Sequence, residues 1–134
     1  MAIEWKDSYS IGIEEIDKQH KALFDAINRL LNACSQGRGK EEVGSVIKFL
    51  GDYVVTHFSS EEKLQQEYNY PDFAAHKGMH DKFIEDFTQL KEQIETEGVN
   101  ARSVILVNRT VVDWLTRHIK NVDKKLGEFL KGVM

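Results

Sequence analysis

Apolar residues recur along most of this chain at steps of three, four or seven, which is the spacing of one face of an α-helix. Four stripes of this kind follow one another, at residues 13–34, 43–64, 73–94 and 104–122. They are separated by the glycine-containing stretch SQGRGK, by the residues around Pro71 and by the loop EGVN. The run from Val104 to Val107 resembles a strand by itself, but its helical spacing continues through Trp114 and argues against that reading.

Helices joined by short turns pack as antiparallel neighbours. The pattern therefore predicts an all-α fold, an antiparallel up-down-up-down four-helix bundle with an N-terminal arm and a short C-terminal helix from about Lys124 to Leu130. The 134 residues suit one domain, without repeats or a linker. We expect residues 1–134 to form this single domain, and the initial Met1 favours a stand-alone protein.

The composition excludes several classes of function. The formal net charge is -4 and basic residues are scattered among acidic ones, so there is no basic patch for nucleic acid or an anionic membrane. No stretch is apolar enough to cross a bilayer, and the N-terminus lacks the apolar core of a signal peptide. The single cysteine excludes an internal disulfide. Together these features predict a cytoplasmic protein with no nucleic-acid or membrane partner.

The histidines all lie on the apolar stripes. The chain has five, each at a position that the pattern would assign to leucine or isoleucine: His20, His57, His76, His80 and His118. Glu61 lies one helical turn after His57 on the same stripe. These positions are near the start of the first and third helices and near the end of the second and fourth, so in an up-down-up-down bundle they fall at one end. The sequence therefore predicts one inward-facing polar cluster.

A metal centre explains this cluster better than core packing does. A lone histidine on an apolar stripe is more often a core residue bonded to a carbonyl group, but five at one depth reverse that preference. Without a metal, buried imidazoles and carboxylates would be strongly destabilising, whereas a cation makes them ligands. The donors are too many for one tetrahedral zinc ion. Imidazoles and carboxylates without a thiolate predict a pair of iron or manganese ions.

Two assignments within the cluster stay open on spacing alone. Asp123 follows His118 by five residues, which places it about 140° away on a regular α-helix. Either a local distortion such as a π bulge brings Asp123 to the site, or the chain has begun to leave the bundle. On the second helix, Glu62 competes with Glu61 for the acidic position.

Four sequence motifs resemble those of the hemerythrin family, specifically its small bacterial members. They are IDKQH at 16–20, HFSSEE at 57–62, HKGMH at 76–80 and HIKNVD at 118–123. The resemblance covers essentially the whole chain, including Trp5 and the segment PDFAAH. Each motif is weak by itself, but all four in this order are specific. One departure is Leu126, where some family members have tyrosine.

The resemblance implies two iron ions joined by an oxo or hydroxo bridge. It assigns three ligands to a coordinatively saturated iron: His76, His80 and His118. It assigns two ligands to a second iron, which keeps an open position: His20 and His57. The bridging carboxylates are then Glu61 and Asp123, so Glu61 is selected over Glu62.

The resemblance also implies reversible binding of O2 at the open position, in an oxygen carrier, store or supplier to an O2-consuming enzyme. Such binding requires an apolar and dry pocket, whose expected walls are neighbours of the ligands: Leu23, Phe24, Phe58, Trp114, Leu115 and Ile119. The alternatives are an O2 or redox sensor module, or a di-iron enzyme acting on peroxide or nitric oxide. Five histidines favour reversible binding over oxidation of a substrate, so we expect a protein that is not an enzyme, and a monomer.

Overall fold

Four helices make up most of the computed structural model, which describes residues 3–36 and 40–134. We name the first three α1 (Glu14–Ser35), α2 (Lys40–Glu67) and α3 (Phe73–Glu97). The fourth helix covers residues 101–133 without a break. It consists of α4 (Ala101–Val107), α5 (Asp113–His118) and α6 (Lys124–Val133), joined by two π-helical segments, Asn108–Val112 and Ile119–Asp123. The glycines predicted to end α1, at positions 37 and 39, lie outside the described residues.

The helices pack in the order that the sequence predicts. α1 packs against α2, α2 against α3, and the fourth helix against both α1 and α3, which closes the bundle. The predicted all-α, up-down-up-down fold is confirmed, with a 3-10 turn at Asp7–Tyr9 in the N-terminal arm. The predicted short C-terminal helix corresponds to α6, which continues the fourth helix without a break. Within residues 3–36 and 40–134, no helix combines the length and the hydropathy that crossing a membrane requires.

The fourth helix keeps one face buried although its buried residues depart from the α-helical period. Six of them recur at a strict step of four: Ser103, Val107, Val111, Leu115, Ile119 and Asp123. At about 100° of rotation per residue, five steps of four residues turn about 200° further around the helix axis than five complete turns. In a regular α-helix these six residues would therefore not share one face. Each π segment accommodates one additional residue, about 100°, so the two segments cancel the overshoot. The apolar pattern predicts Val122 on the buried stripe, which is wrong: Val122 is half-buried and Asp123 is buried instead.

Two polar side chains of α1 hold the N-terminal arm against the bundle. The Asn28 side chain accepts a hydrogen bond from the Ile3 amide (2.8 Å) and donates one to the Ile3 carbonyl oxygen (2.8 Å). The Asp17 carboxylate accepts hydrogen bonds from the Ser10 hydroxyl (2.6 Å) and the Ile11 amide (2.8 Å). The arm therefore follows α1 to the end at which this helix begins.

The apolar interior is divided into two clusters of unequal size. The larger cluster fills most of the bundle. The smaller one joins the arm, the start of α1, the α2–α3 loop and α6: Ile11, Ile13, Ile16, Tyr70, Leu126 and Leu130. His20 lies between Ile16 of the smaller cluster and Leu23 of the larger one. Asp123 occupies the corresponding position on the fourth helix, so the predicted polar cluster forms a layer between the two apolar ones.

Gly127 allows α6 to approach the N-terminal arm closely. A methyl group at this position would overlap the Ile11 carbonyl oxygen and lie 2.8 Å from Ile11 Cβ. We expect Gly127→Ala to lower the free energy of unfolding by about 1–3 kcal/mol, because the added atom displaces Ile11 and the small cluster around it. Urea unfolding at equal metal content measures this change.

The matched control is Gly132→Ala in the same helix. A methyl group there meets no atom of the described residues within 4 Å. Alanine should therefore raise the free energy of unfolding by up to about 1 kcal/mol through its higher helix propensity. Equal effects at the two glycines would contradict the close contact between α6 and the arm.

Candidate metal centre

All of the side chains that the sequence singles out as candidate ligands meet in one buried layer. The four helices contribute one or two each: His20 from α1, His57 and Glu61 from α2, His76 and His80 from α3, and His118 and Asp123 from the fourth helix. None of them is more than 5% exposed, although all are polar or ionisable. The bundle thus brings together residues as far apart in the chain as His20 and Asp123, which are separated by 103 positions.

The candidate ligand atoms divide into two groups that share their carboxylates. We call these the two-histidine group and the three-histidine group: His20 and His57 in the first, and His76, His80 and His118 in the second. Glu61 and Asp123 belong to both groups. Within each group the ligand atoms all lie within 4.8 Å of one another.

In the two-histidine group, one oxygen of each carboxylate faces the imidazoles. Glu61 Oε2 lies 2.7 Å from His57 Nε2 and 3.4 Å from His20 Nε2. Asp123 Oδ2 lies 3.2 Å from His20 Nε2. His20 is therefore close to both carboxylates, and His57 is close to Glu61.

In the three-histidine group, the remaining carboxylate oxygens face the imidazoles. Glu61 Oε1 lies 3.4 Å from His76 Nε2 and 3.5 Å from His80 Nε2. Asp123 Oδ1 lies 3.0 Å from His76 Nε2 and 3.2 Å from His118 Nε2. Each carboxylate therefore presents one oxygen to each group, as a ligand that bridges two cations does.

The donor atoms fit a pair of cations better than a hydrogen-bonded network. All four carboxylate oxygens are buried without a hydrogen-bond partner among the described residues, as is Nε2 of three histidines: His20, His57 and His80. Such atoms strongly destabilise a protein interior, and coordination to a cation satisfies them. Nε2 of His76 and Nε2 of His118 face each other at 3.1 Å. Neighbouring ligands on one ion are roughly 3 Å apart when the metal–ligand bonds are about 2.1 Å.

Both carboxylates stay ionised inside the layer. Burial by itself raises the pKa of Glu61, but the charge of His57 and the close approach of the His20, His57 and His76 rings lower it well below its usual range. For Asp123, burial and the charge of Glu61 raise the pKa, yet His118 and His20 lower it below its usual range. The layer therefore holds two negative charges that require positive partners.

The two negative carboxylates in turn raise the pKa values of two of the histidines. Burial lowers the pKa of His20, but the nearby negative charges of Asp123 and Glu61 raise it to about 9. The pKa of His76 is also raised to about 9 by the same two carboxylates against the effect of burial. The layer thus attracts cations, whether protons or metal ions.

Polar side chains face the outer nitrogens of two ligand rings. Glu62 Oε2 lies 2.9 Å from Nδ1 of His80, and Gln19 Oε1 lies 2.7 Å from Nδ1 of His57. If these oxygens accept the Nδ1 proton, Nε2 is left with its lone pair directed to the centre of the layer. The structure therefore places Glu62 outside the layer and Glu61 within it.

Gln65 is a buried partner that the sequence analysis missed. It is fully buried, and its amide nitrogen lies 3.2 Å from His76 Nδ1. If the Gln65 amide is flipped by 180°, its oxygen faces His76 Nδ1 in place of its nitrogen. The oxygen can then accept the proton that Nδ1 carries when Nε2 of His76 binds a metal. Hydropathy favours Leu64, which is only half-buried, whereas the step of four from His57 through Glu61 leads to Gln65. That step is the signal that could have found it.

Aromatic rings pack on the three-histidine group. Phe58 stacks on His80 with centroids 3.8 Å apart and 2° between the ring planes. Trp114 stacks on His118 at 4.3 Å and 13°. Phe83 contacts both aromatic rings, at 5.8 Å from Phe58 and 4.4 Å from Trp114. These contacts orient the two imidazoles and keep water from this side of the layer.

The other predicted wall residues lie in the larger apolar cluster. Three are buried beside ligand-bearing turns: Leu23, Leu115 and Ile119. Phe24 is buried too, and its ring contacts are with Trp5 (5.5 Å) and Tyr9 (5.1 Å) of the N-terminal arm. Phe24 thus anchors the arm, and contact of any of these side chains with O2 stays a prediction.

A four-helix bundle around a layer of histidine, glutamate and aspartate defines a cation-binding helical protein. The family model of the hemerythrin HHE cation binding domain matches residues 11–130. The bacteriohemerythrin of Methylococcus capsulatus is 40% identical over 87% of this chain and 86% of its own length. A hemerythrin-like protein of Naegleria gruberi is 35% identical over 97% of this chain and 92% of its own length. The chain therefore belongs to the hemerythrin family.

Solved structures agree with this assignment. The crystal structure of a wild-type hemerythrin has a TM-score of 0.85 and 36% identity, covering 97% of this chain and 98% of that one. A variant of hemerythrin with one leucine replaced by alanine matches with the same TM-score and coverage. The family resemblance predicted from the four motifs is confirmed over nearly the whole chain.

Protein stripped of metal should lose stability as the pH rises from about 6.5 to about 9. The pKa values of His20 and His76 are raised from 6.5 to about 9, so their stabilising contribution is complete below 6.5 and disappears as the pH passes 9. The lowered pKa values of Glu61 and Asp123 contribute above their usual 4.5 and 3.8, and this contribution disappears as the pH falls. Urea unfolding should therefore show greatest stability between about pH 5 and 6.5.

Metal-loaded protein is the control for this pH dependence. Bound metal displaces the ring protons, so raising the pH through the same range should not destabilise it. If the stripped protein has the same stability at about pH 6 and about pH 9, the electrostatic account of the layer is wrong.

Proposed function

We propose that these seven side chains bind two iron ions and that the protein binds O2 reversibly at this centre. One observation carries the proposal: Glu61 and Asp123 each direct one oxygen to the three-histidine group and the other to the two-histidine group. This is the donor arrangement expected of a carboxylate-bridged metal pair. Membership of the hemerythrin family supports iron over manganese.

The two groups offer unequal numbers of donors. The three-histidine group and the shared carboxylates supply five side chains, whereas the two-histidine group and the same carboxylates supply four. With one bridge from solvent, the first iron would have six ligands and the second five, which leaves one position open for O2. When bound, the two ferrous ions supply the two electrons that O2 takes up on binding and returns on release. O2 is therefore expected beside His20 and His57.

The protein's own part is to keep the centre dry and its ligand rings oriented. Burial of every candidate ligand limits the access of water, and with it of outside protons that would make O2 reduction irreversible. We propose that the pocket walls are apolar neighbours of the ligands: Leu23, Phe24, Phe58, Trp114, Leu115 and Ile119. The side-chain oxygens of Gln19 and Glu62 at the outer nitrogens of His57 and His80 keep Nε2 of these two rings directed to the metal.

The donor set favours a reversible binder over a di-iron enzyme. Di-iron enzymes of bundle folds use carboxylate-rich sites, whereas this layer holds five imidazoles and two carboxylates. An oxygen carrier or store that supplies an O2-consuming enzyme is the form of this function that we favour. A sensor differs in the lifetime of its O2 adduct, which experiment can measure.

Anaerobic reduction followed by exposure to O2 should produce a visible charge-transfer band that disappears under vacuum and returns with O2. Elemental analysis of the same sample should give about two irons per chain. A band that never forms contradicts O2 binding, and a band that decays at once to the oxidised centre contradicts the carrier and favours the sensor. Repeated turnover of peroxide or nitric oxide favours an enzyme, and a single zinc ion in place of iron contradicts the centre.

His118→Ala should lose iron and stability together, because a metal that binds only the folded state stabilises it. We expect iron content to fall to one ion or fewer per chain, and the free energy of unfolding to fall by about 3 kcal/mol or more. Arg117→Ala is the control, since Arg117 is exposed on the preceding position of α5. If the two variants have equal iron content and melting temperature, His118 is not a ligand.

A further inference from the structure

The outer nitrogens of the ligand rings have partners of different charge. The Nδ1 atom of His80 faces the carboxylate of Glu62, whereas the Nδ1 atoms of His57 and His76 face the neutral amides of Gln19 and Gln65. A carboxylate polarises an imidazole N–H more strongly than an amide does, and this raises the basicity of the opposite nitrogen. The chemical nature of these partners therefore affects how strongly each ring donates to a metal.

We propose that Glu62 is a positioning residue that makes the three-histidine group the more electron-rich half of the centre and lowers the reduction potential of the bound iron. The inference rests on the proposed function, because it requires iron at the layer. Glu62 is not itself a ligand: it acts through His80, whose Nδ1 lies 2.9 Å from its Oε2.

The surroundings of His80 hold its ring in place for this contact. Phe58 covers one face of the imidazole, 3.8 Å away and parallel within 2°. Glu62 approaches the edge of the ring, and its side chain is 19% exposed, so the carboxylate reaches the ring from the surface without full desolvation. The ring therefore has little freedom to exchange its anionic partner for another.

The two-histidine group has no anionic partner of this kind among the described contacts. Gln19 is held in its orientation by Ser60, because its amide nitrogen donates to the Ser60 hydroxyl (3.3 Å) while its oxygen faces His57. Nδ1 of His20 is buried without a hydrogen-bond partner in the described part of the chain. Glu62, the anionic partner, thus lies on the side of the centre opposite to the proposed O2 position.

Glu62→Gln tests the charge while keeping a hydrogen-bond acceptor of nearly the same shape. Stronger donation from His80 favours ferric over ferrous iron, so its loss should raise the midpoint potential. We expect a tenfold shift of the ratio of reduced to oxidised centre at a given potential, which for one electron is about 59 mV. Spectroelectrochemical titration of iron-loaded protein measures this shift, with iron content and melting temperature measured on the same samples.

Two further variants separate this effect from a general change of charge or structure. Glu67→Gln removes one charge from an exposed position near the end of α2 and should leave the midpoint potential unchanged. Gln19→Glu places a carboxylate against His57 and should lower the potential, in the direction opposite to that of Glu62→Gln. If Glu62→Gln fails to retain iron, the midpoint potential of the Gln19→Glu variant tests the inference in its place.

The outcomes distinguish this inference from the proposed function. Wild-type protein without iron or an O2-dependent band contradicts the proposed function. If the wild type has both, equal potentials for Glu62→Gln and Glu67→Gln contradict only the role of Glu62, as does a Gln19→Glu variant whose potential does not fall. A rise for Glu62→Gln together with a fall for Gln19→Glu supports the inference.

Discussion

Glu61 and Asp123 are carboxylates removed from water in the middle of a helical bundle. Burial acts to raise the pKa of both, and the surrounding histidines reverse that effect so that both groups stay negative. A buried anion is tolerated only when positive or hydrogen-bonding partners reach it with good geometry. Each of the four helices accordingly places at least one imidazole at the same depth, and the order of the helices brings these rings to both carboxylates.

The irregular parts of the fold lie around this layer. The π segment Ile119–Asp123 turns the Asp123 side chain inward, where a regular α-helix would turn it away. On one side, contact between Gly127 and Ile11 closes the smaller apolar cluster over the layer. On the other side, aromatic rings pack on the three-histidine group. The parts of the protein that compensate the buried charge thus also exclude water, and the O2 binding that we propose requires both.

Helical periodicity is sufficient to predict the bundle, the five histidines and Glu61, because these residues keep the α-helical spacing. Asp123 departs from it, since a π segment changes the rotation per residue and hydropathy does not mark the change. The strict step of four through the preceding residues is the available signal: Val107, Val111, Leu115 and Ile119. Gln19 escapes prediction because its role depends on an atomic contact between α1 and α2, with His57. Motif resemblance selects Glu61 over Glu62 as the bridging carboxylate. In the structure Glu61 lies within the layer, whereas Glu62 contacts the outer nitrogen of His80.

In the centre that we propose, two iron ions share Glu61 and Asp123. Anomalous X-ray diffraction at the iron absorption edge, from crystals of the iron-loaded protein, would locate both ions. We predict two iron positions about 3.5 Å apart, each bonded to one oxygen of Glu61 and one of Asp123, with three histidines on one ion and two on the other. A single metal position, or two positions without a shared carboxylate, would show that these residues do not hold a bridged iron pair.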